Sequence, residues 1–298
     1  MKKICIILAV ILVIVLGLGI YAFRVILRSK RMTHEESLAW ESDHYDTSFY
    51  DALEKVDYEV PSYDGYVLHA QLLKNPEPTQ KYIILTHGHT GTRIGSLKYV
   101  RFYLDFGFNC VIYDLRGHGE NVPTFCTYSI RESRDLCAMV EEARKRWPDM
   151  TTLGLHGESL GAATTVASMQ YKPQVDFAVA DCGFSEIASI LKAGLKRSYF
   201  PEFMYEVTRL CAKVGSGYDF NDMRPIDALR ENDVPILFIH GEDDTFIPYS
   251  HGVAMRDATR GPSDFHLMPG ARHAESVLVN YDEYKQWVAA FLESLQGN

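Results

Sequence analysis

The sequence predicts an α/β fold: a mostly parallel central sheet covered by helices on both faces, preceded by one helix long enough to cross a bilayer. Three observations predict it. Short apolar runs alternate with helical stretches through most of the chain, as in sheets whose strands are buried on both faces between crossover helices. Residues 4–23, ICIILAVILVIVLGLGIYAF, hold no charge. The net charge of −9 is also unevenly spread: residues 1–31 carry six basic residues and no acidic one, so the other 267 carry 24 basic against 39 acidic, a net of −15. A body that acidic excludes general nucleic-acid binding, which needs a basic face to displace counterions. The 47% hydrophobic content excludes disorder and is enough for a full core.

Taken in order, residues 4–23 would make a helix about 30 Å long, the thickness of a bilayer core. The run is too long for the apolar part of a cleaved signal, and Gly17-Leu18-Gly19 is a poor cleavage site, so residues 1–31 are expected to be an uncleaved single-pass anchor in the cell membrane. Lys2 and Lys3 precede the run, and Arg24, Arg28, Lys30 and Arg31 follow it. Counting flanking charges puts the body inside the cell, whereas the Lys-led start resembles an export signal, so the pattern selects no side. The five body cysteines, Cys110, Cys126, Cys137, Cys182 and Cys211, are odd in number and widely spaced, which is no disulfide framework.

Residues 32–54 are polar with interspersed Tyr and Trp and read as a linker leading into a first helix. Residues 55–298 form the main domain. It opens with a hairpin, VDYEV and YVLHAQLL, turned at Asp64-Gly65. A buried strand follows at 82–86, then a helix over 94–106 stopped by Gly107, a strand at 109–114, and a helix over 130–146 with Pro148 beyond it. Residues 152–156 form a strand running into Gly157-Glu158-Ser159-Leu160-Gly161 and a small-residue helix. Further strands are expected at 177–180, 235–239 and 265–268, with a terminal amphipathic helix over 281–295. Between them the alternation stops: residues 184–232 look like helices without a strand. An insertion at the carboxyl end of a strand is where a lid over a ligand crevice would sit, and its aromatic, Met-containing part, 184–215, would suit an apolar acyl pocket.

The pentapeptide around Ser159 matches G-x-S-x-G. Alone it would occur by chance in roughly one chain of this length in ten. Its place between a short strand and a small-residue helix is what a nucleophile elbow requires, with glycines letting strand and helix approach a strained serine. A serine hydroxyl needs a base. His273, in the loop between the last strand and the last helix, stands out among 11 histidines by its place in the order Ser, Asp, His. The carboxylate that orients it falls in HGEDDTFIP, where Asp243 and Asp244 are both candidates. The oxyanion hole needs two amides, one from Leu160 after the nucleophile and one from the Gly-rich THGHTGT loop, at His89.

These segments together resemble the α/β-hydrolases of the large bacterial group that includes membrane-anchored esterase-like and serine aminopeptidase-like members. The matching pieces are His87-Gly88-His89, Asp114-Leu115-Arg116-Gly117-His118-Gly119, Gly157-Glu158-Ser159-Leu160-Gly161, His240-Gly241 through Asp244 to Ile247-Pro248, and Gly270-Ala271-Arg272-His273, spread over residues 82–276. The resemblance implies an α/β-hydrolase fold with Ser159 as nucleophile and His273 as base, and its H-G-x-x-D-x-x-[VI]-P run assigns the acid to Asp244. Glu158 and Glu120 depart from the usual pattern, and a carboxylate at Glu158 would disfavour anionic groups beside the nucleophile.

The implied activity is cleavage of a small-molecule carboxylic ester through an acyl-enzyme, without cofactor or metal. The same triad would serve a thioesterase, an acyltransferase or a peptidase acting on a peptide-like substrate. A reading of another class, a non-catalytic binding module on this fold, would be marked by a lost triad member, and none is lost. His87-x-His89 could be imagined as metal ligands, but no H-E-x-x-H or cysteine-pair spacing accompanies it, and neither G-x-G-x-x-G nor a P-loop follows the first strand.

Overall fold

The strands at the centre of the sheet are apolar at almost every position because both of their faces are covered. In the computed structural model, which describes residues 1–295, eight strands form one sheet in the order β1-β2-β4-β3-β5-β6-β7-β8. They are β1 Lys55–Pro61, β2 Val67–Leu73, β3 Lys81–Thr86, β4 Asn109–Tyr113, β5 Thr152–Glu158, β6 Phe177–Asp181, β7 Ile236–Gly241 and β8 Ser263–Met268. β1 pairs antiparallel with β2 and β2 antiparallel with β4, while every later pairing is parallel. Every residue of β4, β6 and β7 is buried. This is the α/β-hydrolase fold, with its antiparallel hairpin at one edge. The last three residues of the expected domain, 296–298, lie outside the described residues.

Eleven α-helices lie among the described residues: α1 Lys2–Leu27, α2 His34–His44, α3 Ser48–Ala52, α4 Leu97–Asp105, α5 Ile130–Arg146, α6 Leu160–Ser168, α7 Ile187–Arg197, α8 Phe203–Ser216, α9 Ser250–Ala258, α10 Ser276–Val279 and α11 Tyr281–Ser294. Their ends follow local chemistry. Thr33 and Glu36 form a reciprocal capping box at the start of α2. Glu132 in the first turn of α5 accepts from the amides of Thr127 and Ser129, and Arg144, Lys145 and Arg146 crowd its last turn, where the helix dipole is negative. One apolar cluster on one face of the sheet includes Val111, Leu155, Val166 and Phe238; a second on the other face includes Ile83, Phe102, Val179 and Tyr284.

The expected strands and crossover helices all form, within a few residues of their expected bounds. The start of the expected helix over 94–106 winds instead as a tighter 3-10 turn, Arg93–Ser96, before α4. α9 and α10 were not expected. α9 buries only Gly252 and Met255, so its sequence, SHGVAMRDA, carries too thin an apolar stripe to register as a helix. The stretch between β6 and β7 contains α7 and α8 and no strand.

The apolar helix α1 is not detached from the rest. Most of its length is exposed, from Ile4 to Leu18, but Gly19 and Leu27 are buried. A Cβ on Gly19 would sit 2.7 Å from Val207 Cγ1 of α8, and one on Gly215 would sit 2.8 Å from the Phe23 ring. The carbonyl of Leu27 then accepts from Cys126 N at 2.9 Å, and that of Ile26 from the Tyr128 hydroxyl at 2.7 Å.

Candidate active site

The geometry at the carboxyl edge of the sheet starts from the turn between β5 and α6. Ser159 has φ 53° and ψ −111°, a conformation in which an L side chain is strained. Two glycines allow it. A Cβ on Gly157 would run into the Gly161 carbonyl, and one on Gly161 into the Thr86 carbonyl of the neighbouring strand. Ser159 N donates to the Asp181 carbonyl at 2.8 Å, which fixes the turn to β6.

Ser159 Oγ lies 2.9 Å from His273 Nε2. His273 Nδ1 lies 2.7 Å from Asp244 Oδ2. The other carboxylate oxygen, Asp244 Oδ1, accepts from the amides of Phe246 and Ile247 at 2.9 and 2.8 Å. Burial alone would raise the Asp244 carboxyl, but hydrogen bonds from His240 and His273, the imidazole charge and the Ile247 amide hold it well below the usual carboxylate range. Asp243, the neighbouring candidate, is exposed; its amide donates to the Ala271 carbonyl at 2.9 Å. The loop after β3 packs directly against the serine: a Cβ on Gly88 would lie 3.6 Å from that of Ser159. Among the described residues, neither the Leu160 nor the His89 amide donates a hydrogen bond within the protein. Ser159, His273, Asp244, Leu160 and the His89 loop thus converge on one edge.

The histidines near the first turn have other partners. His87 Nε2 accepts from Leu115 N at 2.9 Å and its Nδ1 lies 2.7 Å from the Gly88 carbonyl, so neither nitrogen is free for a metal. Burial pulls His87 below its ordinary value and brings His89 down to about 4, so both rings are neutral at pH 7. His34, Asp114 and Glu120 also gather in one place, but Arg93 bonds both carboxylates, to Asp114 Oδ2 at 2.7 Å and Glu120 Oε2 at 2.9 Å, and already supplies the cation a metal would.

Sequence reasoning missed a set of charged residues behind the nucleophile. Glu158 is ion-paired with the buried Lys98 and accepts from the Tyr99 hydroxyl at 2.8 Å; Tyr99 also lies 3.0 Å from Asp181 Oδ2. Lys98 therefore largely offsets the negative charge that Glu158 was expected to present. Glu41 of α2 is 3% exposed and completes the cluster, with Oε2 unpartnered. Glu41, Lys98 and Glu158, with Met32, Ser37 and Trp40, wall a cavity of about 230 Å³ that also touches Gly88, His89 and His273. The insertion expected to supply an acyl pocket lends no residue to it. Met32, Ser37, Trp40 and Glu41 come from the region read as a linker, which had no signal beyond the Thr33–Glu36 cap.

Glu41 makes a testable consequence. Burial, eased by Lys98, pushes its carboxyl up to about 7 from an ordinary 4.5. Between those values the native state holds a proton that the unfolded chain has released. The group's contribution to stability is full below 4.5 and is lost as pH rises through 7. Glu41→Gln should flatten the fall in urea-unfolding stability between pH 5 and 8 relative to the parent; an unchanged pH slope would contradict this account.

Comparison with known proteins agrees with the architecture. The profile of the prolyl oligopeptidase family matches residues 96–297, about two thirds of the chain. The chain belongs to the prolyl oligopeptidase family. The uncharacterized protein YqkD of Bacillus subtilis is 30% identical over 306 aligned residues, covering all of this chain and 99% of that one. Human alpha/beta hydrolase domain-containing protein 17B is 27% identical over 73% of this chain and 70% of its own. Among solved structures, the Pyrococcus furiosus esterase Pf2001 superposes with a TM-score of 0.69 at 22% identity, over 84% of this chain and 94% of that one. Est1E from Butyrivibrio proteoclasticus, with ferulic acid bound, superposes with a TM-score of 0.60 at 17% identity, over 78% and 99%. As a prolyl oligopeptidase family member with the α/β-hydrolase fold, this chain is a hydrolase.

Proposed function

We propose that the protein is a membrane-anchored serine esterase that works through Ser159, His273 and Asp244. The observation that carries this reading is the continuous hydrogen-bonded chain from Ser159 Oγ through the His273 ring to Asp244, at 2.9 and 2.7 Å. His273 Nε2 takes the hydroxyl proton as Ser159 Oγ attacks the substrate carbonyl carbon. Asp244 holds Nδ1–H and stabilises the imidazolium. The Leu160 and His89 amides receive the oxyanion, which develops where no other acceptor occupies them. His273 then protonates the leaving alkoxide, and water, deprotonated by the same ring, releases the acyl group. No step needs a cofactor or metal.

The domain division that supports this activity is an anchor over 1–31, a linker and first helix over 32–54 and a hydrolase domain from 55 onward, with 184–232 as a lid. Retention of the anchor is favoured by the packing of Gly19 and Leu27 into the body, contacts that cleavage within 17–19 would remove or disrupt. Esters are the first choice of substrate because they are the easiest acyl donors for such a triad. A thioester, a transfer to another acceptor or a peptide bond would use the same groups.

The test is a panel on the full-length protein in detergent: p-nitrophenyl esters, an acyl thioester and an aminoacyl p-nitroanilide. Turnover should be fastest on the esters, with an initial burst of p-nitrophenol matching the enzyme present when deacylation is slow. Faster turnover of the anilide would assign a peptidase, and turnover of none would sink the enzymatic reading.

A further inference from the structure

We propose that the α7–α8 helix pair is seated in the same bilayer as α1, so that the catalytic edge faces the membrane and the substrate is an ester carried in the lipid. The inference deepens the esterase reading and rests on it and on the anchor. It starts from the contacts between α1 and α8. Gly19 meets Val207 and Cys211, and Phe23 meets Gly215, so the two helices advance in the same direction. Glycine at both contacts permits the close approach found between membrane helices.

The apolar run of α1 ends at Phe23. Gly19 lies four residues inside that end, about 6 Å at the helical rise, and Val207 lies level with it. Phe203, one turn earlier on α8, is therefore about 11–12 Å inside. That is slightly beyond the usual depth of an interfacial amphipathic helix, about 5–10 Å.

The surface of α8 suits that place. Met204, Tyr205, Thr208 and Ala212 face the protein. Phe203, Leu210 and Val214 are 55, 55 and 81% exposed and flank the contact with α1, and Tyr199 before the helix is 96% exposed. This stripe is continuous with the exposed apolar surface of α1, so whatever covers one covers the other. The charges within α8 are paired, Arg209 with Glu206 and Asp219 at 2.8 and 2.7 Å and Lys213 with Asp219 at 3.2 Å, while Glu202 at its N-cap is exposed. Charge on α7 itself is basic only, at Lys192, Lys196 and Arg197, and Arg197 Nη1 donates to the Thr245 carbonyl at 3.3 Å.

The same geometry aims the site. Leaving α1, the chain brings Ser29 Oγ to 2.6 Å from His89 Nε2, and Met32 N donates to the Thr90 carbonyl at 2.8 Å. The anchor thus emerges on the loop that carries His89, on the side of the sheet where Ser159 lies.

The experiment places full-length protein in nanodiscs of phosphatidylethanolamine and phosphatidylglycerol, with or without bromine on the acyl chains. Phe203→Trp and, as anchor control, Leu12→Trp are compared with the parent. Bromine should quench the added emission of both by about half or more, the result for side chains among acyl chains. Quenching at Leu12→Trp alone would overturn the inference and leave the anchor standing; quenching at neither would remove the anchor too. Disulfide cross-linking of Leu210→Cys between two copies would assign the stripe to a dimer and overturn it as well.

A second arm reads substrate class. Phe203→Asp/Leu210→Asp should lower hydrolysis of 4-methylumbelliferyl oleate held in vesicles by about tenfold and leave p-nitrophenyl acetate turnover unchanged. Equal loss on both esters, or on neither, contradicts a lipid-borne substrate. A parent that hydrolyses neither ester removes the esterase reading itself, while the quenching arm still decides the seating of the helices.

Discussion

Ser159→Ala is expected to abolish turnover of p-nitrophenyl acetate, by about a million-fold in kcat if chemistry limits the parent. No neighbouring group can replace the hydroxyl. Glu158 is held by Lys98 and Tyr99, and the nearby His89 is spoken for by Ser29. The fold should survive, because the strained turn is held by main-chain contacts: Ser159 N to the Asp181 carbonyl and the close approach of Gly157 and Gly161. Removing the hydroxyl touches none of these. An unchanged unfolding midpoint with lost activity is the expected pair of results, and retained turnover would refute Ser159 as nucleophile. His273→Gln should behave alike, since the serine then has no base.

The second large effect is expected at Asp244, and it separates two adjacent residues. In Asp244→Asn the amide oxygen can still accept from Phe246 and Ile247, which leaves the NH₂ facing His273 Nδ1. The ring must then carry its proton on Nε2, the nitrogen that has to accept from Ser159. A loss of about ten-thousand-fold in kcat follows, with little change in KM. Asp243→Asn, at an exposed side chain whose residue uses its amide to bond Ala271, should change kcat by less than about twofold. The reverse outcome would move the acid by one position.

Where the fold was legible, one physical reason applies: strands buried on both faces leave unbroken apolar runs, as in NCVIY and FAVAD, and Gly or Pro stops the helices between them. The order of Ser159, Asp244 and His273 was readable for a related cause, since each sits just after a strand at one edge of the sheet. What stayed hidden was long-range. Lys98 stands in an apolar helix, and nothing near it in sequence reports that Glu158, 60 residues on, neutralises it. Glu41 lies in a polar stretch that looks solvated until α2 folds over the cavity. Gly19 was weighed as part of a cleavage site, while in the folded chain its missing side chain makes room for Val207. Short helices such as α9, with little apolar stripe, leave no periodic trace at all.

Intact-mass analysis of the full-length protein after treatment with a fluorophosphonate shows whether Ser159 is an activated nucleophile. One adduct per chain is expected, on the peptide containing Ser159, absent from Ser159→Ala and strongly slowed in His273→Gln. An adduct on any other residue, or no adduct in a parent that still hydrolyses esters, would contradict it.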